Sequence, residues 1–103
     1  MSRGASYAPK GYGKYAKFYF DSLFRQLKPY LKNLKTGKVL DIGCAYGYML
    51  QRFPDTFEKT GIDVSEYAIR KAKERLPSAT LKVWNAEEPL PFPEGFFDII
   101  LCN

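Results

Sequence analysis

Asp41, Gly43, Gly47 and Asp63 are the residues of this chain whose types and spacing could do chemistry together. The first three lie in Val39-Leu40-Asp41-Ile42-Gly43-Cys44-Ala45-Tyr46-Gly47-Tyr48, a short apolar run ending in an acid and followed by a glycine-rich turn. A second strand-like run, Lys59-Thr60-Gly61-Ile62, ends in Asp63, 22 residues beyond Asp41. Glycines let a backbone approach a ligand closely, and an acid at the end of the second strand can accept hydrogen bonds from a ribose diol. The pair therefore points to nucleotide binding. A dinucleotide fingerprint places glycines at relative positions one, three and six. Here Ala45 takes the middle place, Gly47 follows it, and Tyr48 stands where the last glycine would be. That spacing argues against NAD.

The elements that must hold these residues can be read along the chain. From Lys14 to Lys28, Ala16, Phe20, Leu23, Phe24 and Leu27 recur at helical spacing, and Pro29 should end or kink that helix. A short second helix through Leu34 can follow, and Thr36-Gly37 turns the chain into a first strand over Lys38 to Ile42. A helix is expected from about Tyr46 to Phe53, stopped before Pro54, then a second strand over Glu58 to Ile62. Ser65 suits an N-cap for a helix from Glu66 to Leu76 whose inner face is Ala68, Ile69, Ala72 and Leu76. Thr80 to Trp84 reads as a third strand and Phe97 to Cys102 as a fourth, joined by a proline-rich loop with no obvious crossover helix. Alternating strands and helices predict an α/β fold: a Rossmann-like parallel sheet of about four strands with flanking helices. Trp84, Phe92, Phe96 and Phe97 are expected in the core rather than stacked on a ligand base. Tyr46 and Tyr48 flank the glycine turn within reach of a ligand.

Charge divides the chain into two regions, residues 1–37 and 38–103. Residues 1–38 hold nine of the 16 Lys/Arg and one of the 11 acids, interleaved with Tyr7, Tyr12, Tyr15, Tyr19 and Tyr30. Basic and aromatic residues in this mixture can bind nucleic acid. The helical spacing of the apolar positions favours instead an amphipathic segment with its lysines in water. No apolar run approaches the ~20 residues that span a bilayer, and the start of the chain lacks a signal-peptide core. These features, with two separated cysteines expected to be reduced and packed (Cys44 and Cys102), predict a cytoplasmic protein. The absence of histidine excludes a Ser-His-Asp triad and, with two separated cysteines, argues against a zinc site.

The Asp41-to-Gly47 stretch resembles the first motif of the class I S-adenosylmethionine-dependent methyltransferases, an acid, one residue, then Gly-x-Gly-x-Gly. Asp41, Gly43 and Gly47 match it, and Ala45 replaces the middle glycine. Gly61-Ile62-Asp63-Val64-Ser65 resembles the second motif. Asn85-Ala86-Glu87-Glu88-Pro89-Leu90-Pro91-Phe92 resembles the third, with Asn85 where an aspartate is usual, and Phe97 to Asn103 resembles the strand after it. The resemblance implies S-adenosyl-L-methionine as cofactor. Gly43, Ala45 and Gly47 would pass under its methionine and ribose, Asp41 would lie near its ammonium, and Asp63 would take the ribose hydroxyls. Val64 would pack on the adenine, with Asn85 and Ala86 at the adenine edge. Cys102 and Asn103 would reach the site mouth, no catalytic side chain is implied, and Asp98 reads as structural. Plainer roles stand beside these: turn glycines at 43 and 47, a helix cap at Asp63, a loop residue at Asn85.

Relative to the seven-stranded fold of that family, the chain supplies the first four strands. It is therefore expected to carry the cofactor-binding half of a methyltransferase, to transfer little methyl by itself, and to bind an acceptor that the sequence does not name. The alternative is a non-catalytic cofactor-binding or oligomerising fragment. The resemblance implies a strand order with the fourth strand beside the first and a fifth on its other side; with only four strands expected here, that edge of the fourth is expected to be open. Phe97-Asp98-Ile99-Ile100-Leu101-Cys102 has no lysine or proline to discourage pairing there, so a homo-oligomer through the fourth strand is expected.

Overall fold

The computed structural model describes residues 24–31 and 34–102. The expected basic region 1–37 lies mostly outside the described residues, as do most of its tyrosines and Asn103. Residues 24–27 are helical and pass into a 3-10 turn, Lys28–Leu31, at the position where Pro29 was expected to end the helix. Strands β1 (Gly37–Ile42), β2 (Phe57–Asp63), β3 (Thr80–Val83) and β4 (Ile99–Cys102) form one parallel sheet in the order β3-β2-β1-β4. Helix α1 (Tyr48–Arg52) joins β1 to β2, and α2 (Glu66–Arg75) joins β2 to β3. No helix among the described residues is long and apolar enough to cross a membrane.

Each element has a local cause. Strand β1 buries Val39, Leu40 and Asp41 in succession, as a central parallel strand covered on both faces must. Helix α1 stops at Phe53, whose φ of −74° and ψ of 142° are the extended conformation that the ring of Pro54 imposes on the residue before it. The Phe53 ring meets Phe24 and Phe57 edge-to-face at 5.0 and 5.2 Å, which ties residues 24–27 to the start of β2. The Ser65 hydroxyl accepts the Ala68 N–H at 3.0 Å, satisfying an otherwise orphaned donor at the start of α2. The inner stripe Ala68, Ile69, Ala72 and Leu76 is buried in full against the sheet. Burial of Ile69 and of Leu76 stabilises the packing by about 1.5–3 kcal/mol each.

Residues 84–98 cross from β3 to β4 without a helix. Parallel strands need a connection of roughly a dozen residues or more, and a loop of this length meets that need. Its end is pinned by Asp98, whose carboxylate accepts the Lys38 N–H at 2.8 Å while its own N–H donates to the Lys38 carbonyl at 2.8 Å. The structural reading of Asp98 is thereby accounted for.

Three expectations are corrected. Helix α1 starts at Tyr48 rather than Tyr46, because Gly47 before it holds a positive φ that a right-handed helix cannot include. Trp84, Phe92 and Phe97 are only half-buried and Phe96 is exposed; none joins the buried core. Phe92 and Phe96 pack edge-to-face on Phe97 at 5.1 and 5.0 Å, a satellite cluster on the approach to β4. Cys102 is exposed rather than packed, because alternate residues of β4 face away from the core.

Candidate functional site

Parallel pairing sets Asp41 beside Gly61 and Ile42 beside Ile62, so β1 and β2 end side by side. The turn leaving β1 holds three residues in the left-handed region: Gly43 (φ 81°), Ala45 (φ 50°) and Gly47 (φ 88°). Ala45 is the only non-glycine there among the described residues, a conformation that disfavours L-residues by about 1–2 kcal/mol. Hydrogen bonds hold it in place. The Gly43 and Cys44 N–H groups both donate to the Ile62 carbonyl, at 2.9 and 3.0 Å, and the Gly47 N–H donates to Cys44 at 2.9 Å. The Ala45 N–H donates to Asp63 Oδ2 at 2.9 Å.

Asp63 is held at both carboxylate oxygens. Its second oxygen, Oδ1, accepts the Ser65 N–H at 2.9 Å, so one half-buried carboxylate ties the glycine turn, the end of β2 and the approach to α2 together. A carboxylate has about four lone-pair positions, and these two bonds use one on each oxygen. The fork is thus oriented and retains acceptor capacity. The helix cap that was the plainer expectation for Asp63 is made by Ser65 instead, and the Asp63 carboxylate holds backbone N–H groups of the turn and of Ser65.

Two close approaches depend on glycine. A Cβ at Gly47 would fall 2.8 Å from Leu76 Cδ1 and 3.5 Å from Ala72 Cβ, so the bare backbone there faces the last turn of α2. A Cβ at Gly61 would fall 2.8 Å from Cys44 Sγ and 3.0 Å from both Cys44 Cβ and Leu81 Cδ2. Gly61 was not among the expected site residues, although it opens the stretch that resembles the second motif and stands as a glycine inside a strand. Cys44 is buried behind it. Burial first, then the charges of Asp41 and Asp63, push its thiol well above the ordinary 9.0, which disfavours the thiolate form.

The remaining expected residues divide. Val64, 68% exposed, opens onto a cleft of about 430 Å³ shared with Val83, Trp84, Asn85 and Glu88. The Trp84 N–H donates to the Asp63 carbonyl at 3.0 Å, which brings this cleft next to Asp63 at the carboxyl ends of β2 and β3. Asn85 Oδ1 accepts the Glu87 N–H at 2.9 Å in a side-chain turn. Ala86 is exposed in the same turn. Asp41 stands apart, wholly buried in β1 with no accessible surface. A larger cleft of about 530 Å³, with Asp55, Phe57, Lys59 and Ala79 in its wall, opens where β2 and β3 begin. Open α/β sheets bind ligands at the carboxyl ends of their strands, so the Asp63 side is the candidate site.

A parallel sheet of this order, with a glycine turn after its first strand and a held carboxylate after its second, defines a nucleotide-binding α/β protein. Residues 39–103 match the model of the methyltransferase domain family, and the chain belongs to that family, the class I S-adenosylmethionine-dependent methyltransferases. An uncharacterised protein of Rickettsia prowazekii (strain Madrid E) is 35% identical over 77 residues, 68% of this chain and 31% of that protein. A mitochondrial arginine-hydroxylase of Rattus norvegicus is 37% identical over 67 residues, 62% of this chain and 19% of its own length. A solved structure from Pyrococcus horikoshii OT3 is 35% identical with a TM-score of 0.64, over 79% of this chain and 41% of that one. A plantazolicin methyltransferase solved with a desmethyl-plantazolicin analogue and S-adenosylhomocysteine is 27% identical with a TM-score of 0.64, over 85% and 36%. The chain thus spans less than a third of the two curated relatives. The family's cofactor is S-adenosylmethionine.

Proposed function

We propose that the chain binds S-adenosylmethionine at the carboxyl ends of β1, β2 and β3 and presents its methyl group to an acceptor. The observation that carries this is the Asp63 fork, set by the Ala45 and Ser65 N–H groups at 2.9 Å each with lone pairs remaining for a ribose diol. The turn Gly43, Ala45 and Gly47 lies under the methionine and ribose, and Val64 with its cleft takes the adenine. The Asn85 NH₂ and the Ala86 backbone meet the adenine edge. Asp41 acts on the ligand's ammonium through its charge from below. The sulfonium methyl is already electrophilic, so the cofactor supplies the reactive group and the protein supplies orientation. Calorimetry tests the reading: S-adenosylhomocysteine binds and NAD does not. Binding of NAD in preference would overturn it.

Two further parts of the proposal concern the chain's surroundings. Both cysteines are free, and the exposed Cys102 suits a reducing compartment such as the cytoplasm. Among the described residues β4 pairs with β1 only, and Ile100 on it is 56% exposed. An apolar edge of this kind favours association of two copies through their β4 strands. Sedimentation at micromolar concentration should show a dimer that an Ile100→Lys variant abolishes; a monomeric parent would count against it.

A further inference from the structure

The glycine turn is gripped from outside by one cation. Arg75, in the last turn of α2, donates from Nε to the Tyr46 carbonyl at 3.2 Å and from Nη2 to the Tyr48 hydroxyl at 3.0 Å. Its Cζ stands 4.1 Å from the centre of the Tyr48 ring. Tyr46 and Tyr48 straddle Gly47, whose backbone lies against Ala72 and Leu76 of the same helix end. The Tyr46 ring meets Tyr48 and Tyr67 edge-to-face at 6.3 and 6.2 Å, which adds the first turn of α2 to the grip. Arg75 is itself half-buried and lies outside the apolar core, so its contacts serve the turn rather than core burial.

We propose that Arg75 is a positioning residue for the cofactor turn: it locks residues 46–48 onto α2 and so presents Gly43 to Gly47 in the conformation that receives the ligand. This rests on the cofactor reading above. A turn with three left-handed residues has many competing conformations when unrestrained, and a ligand that needs one of them binds weaker by the fraction of time the turn spends elsewhere. Arginine suits the task because its planar fork reaches a carbonyl and a hydroxyl while stacking on a ring; lysine, a point charge with rotating donors, cannot hold all three.

The experiment pairs S-adenosylhomocysteine affinity with amide hydrogen exchange in the ligand-free chain, for Arg75→Ala, Arg75→Lys and Tyr48→Phe. Both Arg75 variants should bind about tenfold weaker, and Tyr48→Phe, which loses one hydrogen bond, by less. The Ala45 and Gly47 amides should exchange faster in the Arg75 variants, while β1 and β2 amides keep their parent rates. Parent-like exchange at Ala45 and Gly47 would overturn the proposal, as would acceleration spread through β1 and β2, the mark of general destabilisation. If the parent chain binds no S-adenosylhomocysteine the cofactor reading fails, and exchange at the turn still decides what Arg75 does.

Discussion

Asp63→Ala is expected to weaken S-adenosylhomocysteine binding by at least roughly a hundredfold, about 2.7 kcal/mol. Two effects combine. The ribose loses its acceptor, and a hydrogen bond to a charged group contributes about 1.5–3 kcal/mol. The Ala45 and Ser65 N–H groups, held at 2.9 Å in the parent, lose their partner together, so the turn and the approach to α2 both loosen. Asp63→Asn separates the two effects. A single amide oxygen can accept one of those N–H groups, while the NH₂ confronts the other donor. Its affinity should fall between parent and alanine, and its melting temperature likewise. Calorimetric titration and thermal melts of the three chains check this. Parent-like affinity in Asp63→Ala would remove Asp63 from the ribose.

Gly61→Val is expected to abolish the folded state at 25 °C. The added Cβ would stand 2.8 Å from Cys44 Sγ and 3.0 Å from Cys44 Cβ and Leu81 Cδ2, and both neighbours are buried. Overpacking a core by a methylene or two disfavours it by about 1–3 kcal/mol, and valine adds two further methyl groups in a strand that pairs on both sides. A small domain has only about 5–15 kcal/mol to lose. Gly61→Ala should remain folded but destabilised by about 2–3 kcal/mol. Cys44→Ala in the Gly61→Ala background should recover part of the loss, because it removes the nearest atom, Sγ. Circular dichroism melts of the single and double variants read all of this. A Gly61→Val chain melting like the parent would mean that the β1 turn and β3 give way more than their burial allows.

The strands and α2 were legible because their signals are local. Ser65 three residues before Ala68, the stripe Ala68, Ile69, Ala72 and Leu76, and Pro54 after Phe53 each act within one turn or one peptide unit. That β4 lies beside β1 was legible only through the family resemblance, since periodicity says which face of a strand is apolar and not which strand lies beside it. Trp84, Phe92, Phe96 and Phe97 were misplaced for the related reason that aromatic content alone does not distinguish the core from a satellite cluster under a loop.

By itself the sequence determined the positions of the glycine turn and of Asp63, the capped helix between β2 and β3, and a β3–β4 connection without a helix. Tertiary structure alone decided what those residues touch. The Ala45–Asp63 bond joins positions 18 residues apart, Arg75 and Tyr46 are 29 apart, and Lys38 and Asp98 are 60 apart. Gly61 is required to be bare by Cys44 and Leu81 on the neighbouring strands' segments. Asp41, an acid at a strand end and so a natural candidate for ligand contact, is shut beneath the turn because its strand lies between β2 and β4. Helical and strand periods act over a few residues, whereas these contacts exist only once β1, β2 and α2 have packed, and no local pattern encodes the partner that packing brings.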